Sequence, residues 1–276
     1  MEFSVITVCL NPGDKLKATL SSVLGQTCKD VEVVLKDGGS PAGALERWRR
    51  EADKLPGTER VRIHAEKDGG IYDAMNQAVG YAKGAFLIFL NCGDVFYDEK
   101  VLERTLAVIQ KERAAGTDCD RLGLYGDTFG AKNGVSIASA PIITGFTCYR
   151  NIPCHQSCFY GAGLCRDKPY DLGYKIRADY DHFLWCYYGA GAKMLHMGFP
   201  VASYEGGGYS ESRENKRCDR REHRKIAANY MGRWELFRYR AAMACTLAPL
   251  RRWMAESRFF SGAYHWMKER IYHKRS

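Results

Sequence analysis

The sequence lacks the long apolar runs and leading segments that place a protein in or across a membrane. No stretch of the 276 residues approaches the roughly 18 consecutive apolar residues that a spanning helix needs. The chain goes directly into the apolar segment Phe3–Cys9 without a basic-then-apolar leader, so no signal peptide is predicted. We therefore expect a cytoplasmic protein, with a peripheral position on the inner face of the cytoplasmic membrane as an alternative.

Two common phosphate-binding signatures are also absent. The first apolar segment is followed by Asn11-Pro12-Gly13-Asp14 rather than by Gly-x-Gly-x-x-Gly, and no Walker sequence occurs anywhere in the chain. Neither a dinucleotide site of that type nor a P-loop is therefore expected.

The 11 cysteines lack the spacing of a disulfide scaffold or of a zinc site. An odd number of thiols scattered through apolar segments is typical of reduced cysteines. The one local cluster has irregular gaps rather than close pairs, so buried free thiols are favoured over a zinc site. That cluster comprises Cys148, Cys154, His155, Cys158 and Cys165.

Positive charge is concentrated in the C-terminal part of the chain. Residues 211–276 hold 17 Lys and Arg against 7 Asp and Glu, whereas residues 1–210 hold 24 against 25. This change in composition predicts a main domain over residues 1–210 and a basic extension over residues 211–276.

Strand-like and helix-like segments alternate along the first 90 residues. Short apolar runs predict strands at residues 3–9, 31–35, 61–64 and 85–90. Helical spacing predicts helices at residues 15–24, at about residues 42–53, and from Ile71 onward. Such alternation predicts an α/β fold with a mainly parallel central sheet flanked by helices.

Three acidic turns follow or flank these predicted strands. Asp37, Asp68 and Asp94 each stand beside a glycine, and a single pair of this kind is typical of an ordinary turn. Because open α/β sheets bind ligands beyond the carboxyl ends of their strands, three such acids predict one shared site. Carboxylates at that site can hold Mg²⁺ or Mn²⁺, which in turn binds a diphosphate.

The ordered set of motifs resembles glycosyltransferase family two, whose members are inverting enzymes with the GT-A fold. The segments that carry the resemblance are Val5–Val8 through Asn11, Ser22–Thr27, Asp37–Ser40, Asp68–Asn76, Leu90–Asp94, His155-Gln156 with Phe159, and Ala178–Asp181. The stretch Gly70–Asn76 is similar to the branch that builds bacterial exopolysaccharides, capsules and O-antigens. The resemblance implies transfer of a sugar from a nucleotide-sugar donor to a glycan or lipid-linked acceptor in surface polysaccharide synthesis.

The resemblance also implies roles for residues on the donor side. Asn11, Asp37 and Asp68 match nucleotide-binding positions. Asp94 matches the last acid of the family's metal-binding motif, which implies Mg²⁺ or Mn²⁺ as the cofactor.

Four further residues are expected along the sugar and the acceptor. Asp73 and Asn76 are expected beside the donor sugar. His155 and Gln156 are expected beside the acceptor or the diphosphate, although a histidine with an ordinary hydrogen-bonding role fits the sequence equally well.

The base that takes the proton of the acceptor hydroxyl matches Asp179, the second acid of the family's Glu-Asp pair. Ala178 stands in place of the Glu, so Asp181 is the alternative base. Within Asn91-Cys92-Gly93-Asp94, only the last residue is acidic. These two departures keep a second function open, a non-catalytic protein that binds a nucleotide-sugar or a glycan on the same fold.

The basic extension combines arginines with apolar and aromatic residues at helical spacing, among them Ile226, Tyr230, Trp234 and Phe237. Two interpretations fit this amphipathic helical pattern. The extension either lies on an anionic membrane surface or packs on the main domain with a solvated charged face. Nucleic acid is not a predicted partner, because the extension has no recognised binding motif.

Overall fold

The structure is a computed structural model that describes residues 1–41, 43–44, 46, 49–50, 54–131, 134–204 and 215–245. The helix predicted at about residues 42–53 falls largely outside these residues, and the part of the basic extension beyond residue 245 lies wholly outside them. The chain divides into two compact units, Met1–Ile226 and Ala227–Ser276.

Nine strands of the described residues form one sheet. They are β1 (Phe3–Cys9), β2 (Val31–Asp37), β3 (Val61–Ala65), β4 (Phe86–Phe89), β5 (Val95–Phe96), β6 (Leu122–Gly130), β7 (Val135–Ile137), β8 (Cys158–Gly161) and β9 (Lys193–Tyr204). The α-helices in the same residues are α1 (Asp14–Leu24), α2 (Ile71–Tyr81), α3 (Val101–Ala114), α4 (Gly145–Arg150), α5 (Ala162–Asp167), α6 (Ala178–Leu184), α7 (Asn215–Tyr230) and α8 (Arg233–Cys245).

The strands follow the order β3-β2-β1-β4-β8-β6-β9-β5, and β7 pairs with β6. The pairs among β1, β2, β3 and β4 are parallel. In contrast, β8 is antiparallel to both β4 and β6, and β9 runs parallel to β6. The predicted α/β fold with a mainly parallel sheet is therefore confirmed, and each antiparallel pair of the described sheet includes a strand that follows β4 in the chain.

The core lies on both faces of the parallel strands. Every residue of β2 is buried, and so is every residue of β1 except the last. Parallel strands covered on both faces have continuous apolar sequences, which explains why these two could be recognised. Helices α1 and α3 pack on one face. Helix α2 packs on β1 and β2 through residues outside that cluster and so covers the other face; these residues are Ala74, Met75 and Ala78.

Two further properties concern the helices and the cysteines. Among the helices of the described residues, none is long and apolar enough to cross a membrane. All eleven cysteines lie within the described residues and are free thiols.

Candidate active site

Asn11 and Asp37, two of the residues predicted to bind the nucleotide, lie at the carboxyl ends of β1 and β2. Asp37 ends β2 and is fully buried, and it accepts hydrogen bonds from Ser40 Oγ and from the N–H groups of Gly39 (3.2 Å) and Ser40 (2.8 Å). Asn11 has a left-handed backbone (φ 52°), and its N–H donates to Ser40 Oγ at 2.7 Å. Asp37 therefore shapes this turn, while Asn11 lines an adjoining cavity of about 680 Å³.

A buried lysine connects this turn to Asp68. Lys36 Nζ donates to the carbonyl oxygens of Asp37 (3.1 Å) and Glu66, and it lies 3.6 Å from Asp68 Oδ2. A charge without solvent access needs such partners, and Lys36 is fully buried. Gly38 provides the space for the approach, since a Cβ there would lie 2.5 Å from Asp68 Oδ2. Asp37 and Asp68 thus meet at one edge of the sheet.

The antiparallel pairing of β8 with β4 brings His155 and Gln156 to the segment that carries Asp94. Because the two strands run in opposite directions, the residues that precede β8 lie beside those that follow β4. Gln156 Nε2 donates to Asp94 Oδ2 at 3.2 Å, and His155 Nε2 lies 3.2 Å from Asn91 Nδ2. These contacts depend on strand order, which the sequence motifs do not reveal.

The two candidate bases lie in the first turn of α6 but have different surroundings. Asp179 is 24% exposed, accepts a hydrogen bond from Tyr72 Oη at 3.0 Å, and places Oδ2 3.7 Å from His155 Nδ1. Asp181 is buried, and its Oδ2 lies 3.1 Å from Lys168 Nζ. His155 therefore contacts Asp179 on one side and Asn91 on the other.

Tyr72 is a site residue to which no role was assigned from the sequence, although it lies inside the motif Gly70–Asn76. Burial, followed by the nearby Asp179 carboxylate, raises the pKa of Tyr72 far above its ordinary value. The hydroxyl therefore stays protonated, and its single proton is shared between Asp179 Oδ1 and the carbonyl oxygen of Ile176, at 3.0 and 2.6 Å.

Asp73 and Asn76, the two residues of α2 with a predicted role, form hydrogen bonds that hold neighbouring segments of the protein. Asp73 Oδ2 accepts hydrogen bonds from Gly69 N–H at 2.7 Å and from Gln77 Nε2 at 3.0 Å. The Asn76 amide exchanges two hydrogen bonds with the backbone of Tyr170, at 2.9 and 2.8 Å. The place of Asp73 and Asn76 beside the donor sugar stays a prediction.

A carboxylate of α7 holds the segment that leads into Asp179. Glu222 accepts hydrogen bonds from the three consecutive N–H groups of residues 175–177, at 2.9, 3.0 and 3.0 Å. Burial acts to raise the pKa of Glu222, but these backbone donors and the Cys218 thiol outweigh burial and lower it. Asp219, one turn earlier, forms an ion pair with Arg177 at 2.6 Å. Nothing in the sequence signals this role, because Glu222 stands among arginines and its partners are backbone groups.

Asn91 and Asp94 are the residues available to a divalent cation. Within the described part of the chain, no three His, Cys, Asp or Glu side chains converge to hold a metal ion. However, Asn91 Oδ1 is buried and accepts no hydrogen bond, and it belongs to the tight turn in which Asp94 N–H donates to the Asn91 carbonyl at 2.9 Å. Gly93 gives that turn its positive φ of 103°. One carboxylate and one amide oxygen fit the oxygen ligands of Mg²⁺, whose other ligands are commonly water and substrate phosphate.

Sequence comparison relates the chain to known transferases. Residues 4–168 match the family described as Glycosyl transferase family 2. A "PGL/p-HBAD biosynthesis glycosyltransferase" of Mycobacterium tuberculosis is 36% identical over 212 residues, which covers 76% of this chain and 79% of the relative. The matched range of the family contains Asp37, Asp68 and Asp94, whereas Asp179 and Glu222 lie beyond it.

Structural comparison supports the fold. TarS of S. aureus (residues 1–349), solved in complex with UDP-GlcNAc, aligns with a TM-score of 0.62 at 19% identity over 92% of this chain and 79% of TarS. The mannosyltransferase PcManGT of Pyrobaculum calidifontis, in complex with GDP-Man and Mn²⁺, aligns with a TM-score of 0.64 at 15% identity over 96% of this chain and 83% of PcManGT. Two other TarS structures also match. The alignment covers 60% of the TarS chain in one, which contains residues 1–349, and 44% of the TarS chain in the other.

Proposed function

The chain belongs to glycosyl transferase family 2 and is a transferase with the GT-A fold, and from this premise we propose the reaction that it catalyses. It transfers one sugar, with inversion, from a nucleotide-sugar donor to a glycan or lipid-linked acceptor in surface polysaccharide synthesis. Membership of an enzyme family favours this function over a non-catalytic binder on the same fold.

The observation that carries the proposal is the contact network between Asp179 and the Asp94 turn. Asp179 is partly exposed and receives the Tyr72 hydroxyl on Oδ1, while its Oδ2 faces His155. In the proposed reaction, Asp179 takes the proton of the acceptor hydroxyl, whose oxygen attacks the anomeric carbon as the bond to the diphosphate oxygen breaks. A single displacement inverts the configuration, and a well-placed base contributes about 10²–10⁴-fold to the rate.

A divalent cation, Mg²⁺ or Mn²⁺, would neutralise the charge of the departing diphosphate. We assign its protein ligands to Asp94 and Asn91, because the orphaned amide oxygen of Asn91 and the carboxylate of Asp94 lie in one turn. Gln156 Nε2 orients that carboxylate from the side of β8. PcManGT was solved with Mn²⁺, which supports a metal in this protein too.

The nucleotide is assigned to the ends of β1 and β2. Asn11 and Pro41, which follows the Asp37 turn, border the cavity there, and Lys36 holds the Asp68 carboxylate near that turn. TarS was solved with UDP-GlcNAc and PcManGT with GDP-Man, which supports a nucleotide-sugar donor. A thermal-shift screen of UDP, GDP, dTDP and CMP, with and without Mn²⁺, identifies the base through the ligand-induced rise in stability.

We also propose that the basic extension contacts an anionic membrane surface, where a lipid-linked acceptor would be presented. All six Lys and Arg side chains of α7 are exposed, which supports an electrostatic contact. They are Lys216, Arg217, Arg220, Arg221, Arg224 and Lys225.

The test of the reaction is Mn²⁺-dependent hydrolysis of the nucleotide-sugar without an acceptor, measured for the nucleotide that the thermal-shift screen selects. Loss of the metal-binding carboxylate in Asp94→Ala is expected to slow hydrolysis roughly 100-fold or more. Asp30→Ala is the matched control, since this acid is 56% exposed and pairs with the N-terminus. Hydrolysis that Asp94→Ala leaves unchanged, or a wild-type chain that binds nucleotide without any turnover, contradicts the proposal.

A further inference from the structure

A second cavity continues from the one that contains Asp179. The first has a volume of about 300 Å³ and is bordered by His155, Arg177 and Asp179. The second, of about 380 Å³, lies between β7 and α4. The two share a wall formed by residues 151–154 and Tyr204, so that they adjoin along a common boundary.

The surface of the second cavity is mainly apolar, although Arg150 and Asn151 also line it. Its apolar lining residues are Ile137, Ala138, Ala140, Ile152 and Pro153. Ile137 is 56% exposed, although it is one of the large hydrophobic side chains that proteins more often cover. Ligand pockets are commonly lined by apolar side chains that the ligand buries, and Ile137 lies in a concave site of this kind.

The hydroxyl groups of this cavity already have partners within the protein. Thr128 Oγ1 is 2.8 Å from Ser157 Oγ, Ser139 Oγ donates to the carbonyl of Gly126 at 2.8 Å, and Thr147 Oγ1 donates to the carbonyl of Thr144 at 2.8 Å. The protons of these three hydroxyls are already donated within the protein, so the hydroxyls could accept hydrogen bonds from a sugar ring but not donate to it, and the ring would lose hydration against the apolar part of the wall. An alkyl or aryl group would not incur that cost.

We infer that this enzyme takes an amphipathic acceptor whose reacting hydroxyl lies at Asp179 and whose apolar group occupies the cavity lined by Ile137 and Ile152. The inference rests on the proposed function, because it uses Asp179 as the base. It narrows the acceptor class to molecules with an alkyl or aryl group next to the hydroxyl-bearing end, rather than an extended glycan. Each methylene that is buried there is expected to raise affinity up to about fourfold.

The binding test does not depend on turnover. Protein carrying ¹³C-labelled isoleucine δ1-methyl groups is titrated with phenyl β-D-glucopyranoside and, separately, with methyl β-D-glucopyranoside, and the methyl signals are assigned with Ile137→Val and Ile152→Val. The phenyl glycoside is expected to shift the Ile137 and Ile152 signals saturably, and the methyl glycoside to leave them in place. Ile142 is the internal control, since it is 71% exposed and does not line the cavity.

A matched pair of variants tests the same surface. Ile137→Ser is expected to weaken binding of the phenyl glycoside several-fold, whereas Ile142→Ser leaves it unchanged. Equal shifts with both glycosides, no saturable shift at Ile137 and Ile152, or equal effects of the two variants would overturn the inference. Failure of the proposed function appears elsewhere, as absence of nucleotide-sugar hydrolysis by the wild-type chain, and the titration remains interpretable in that case.

Discussion

At the scale of single residues, the two acids of α6 differ in what their carboxylates can do. Asp181 is buried against Lys168, so a proton arriving there would break an ion pair with little access to solvent. Asp179 is partly exposed, borders the cavity that we assign to the acceptor, and is oriented by Tyr72. A base must lie within reach of the proton that it removes, and this geometry favours Asp179.

Exchanging each acid for its amide separates these roles. Asp179→Asn is expected to lower kcat about 10²–10⁴-fold with little change in stability, since it removes the proton acceptor and keeps the shape. Asp181→Asn is expected to lower the free energy of unfolding by about 3 kcal/mol, because it leaves Lys168 without its counter-charge. Transfer rates and urea unfolding of both variants check this. The reverse pattern, with turnover lost only in Asp181→Asn, would assign the base to Asp181.

The sequence allowed the acids at strand ends to be predicted, but not the contacts that join them. Asp37, Asp68 and Asp94 were predicted to share one site. Lys36 links the Asp37 carbonyl to the Asp68 carboxylate, whereas the Asp94 carboxylate accepts a hydrogen bond from Gln156, so a site shared by all three stays a prediction. No role was predicted for Asn91, because only the structure shows that its buried side-chain oxygen has no hydrogen-bond partner. Tyr72 could be placed in a motif but not against Asp179, because that contact spans 107 positions and depends on the docking of α6.

At the scale of elements, α7 has two faces with different partners. The face with Asp219 and Glu222 binds residues 175–177, and His223 Nε2 lies 2.9 Å from the carbonyl oxygen of Tyr149. Residues beyond position 210, where the composition changes, therefore help to hold the segment that leads to Asp179, the proposed base. We infer that Glu222 is a positioning residue for Asp179.

Glu222→Gln tests this positioning role. Loss of the charge weakens three backbone hydrogen bonds, and we expect a lower kcat, an unchanged KM for the donor, and a destabilisation of about 2 kcal/mol. Glu112→Gln is the control, because Glu112 is also buried and bonded, to Lys193 and Thr117, and is expected to lose stability while keeping kcat. Equal kcat values for the wild type and Glu222→Gln would reduce Glu222 to a structural role.

The lowered pKa of Glu222 also predicts how the stability of the protein changes with pH. The pKa of Glu222 is lower in the folded chain than its ordinary value of 4.5. Its contribution to stability is therefore fully present above pH 4.5 and is lost as the pH falls through the lower folded value. Urea unfolding between pH 6 and pH 3 is expected to show a shallower loss of stability in Glu222→Gln than in the wild type.

Strands were predictable where burial on both faces gives a continuous apolar run, as in β1 and β2. The last strand shows where prediction from apolar runs fails. The segment Lys193–Met197, with Met194, Leu195 and Met197 as its apolar residues, predicts a short strand, whereas β9 runs from Lys193 to Tyr204 and passes a bulge opposite Asp127. Gly198 and Pro200 lie in that stretch, and both are residues that normally argue against a strand. The pairing with β6 overrides this local preference.

At the scale of the whole molecule, the positive charge is distributed unevenly between the two parts of the chain. Residues 1–210 are nearly neutral and contain the predicted donor site, whereas the excess of positive charge lies in residues 211–276. On α7 the acids Asp219 and Glu222 face inward to residues 175–177, and its cations are exposed. Helix α7 can therefore pack on residues 175–177 through its acidic face and still present its basic face to a membrane, so the two interpretations of the extension are compatible for this helix.

Membrane contact predicts salt-sensitive sedimentation with anionic vesicles. Each basic side chain near such a surface contributes about 1 kcal/mol, so the triple variant Arg217→Gln, Arg220→Gln, Arg224→Gln is expected to bind phosphatidylserine-containing vesicles roughly 100-fold more weakly. The control removes the same charge from exposed positions of the main domain, in Lys17→Gln, Lys100→Gln, Lys111→Gln. This control variant is expected to sediment like the wild type, and raising the salt concentration is expected to release both proteins from the vesicles.

Equal weakening of vesicle binding in the two triple variants would mean that net charge alone drives binding. Undiminished binding of the α7 variant would exclude α7 as the contact surface. In either case the acceptor would have to reach Asp179 without help from this helix.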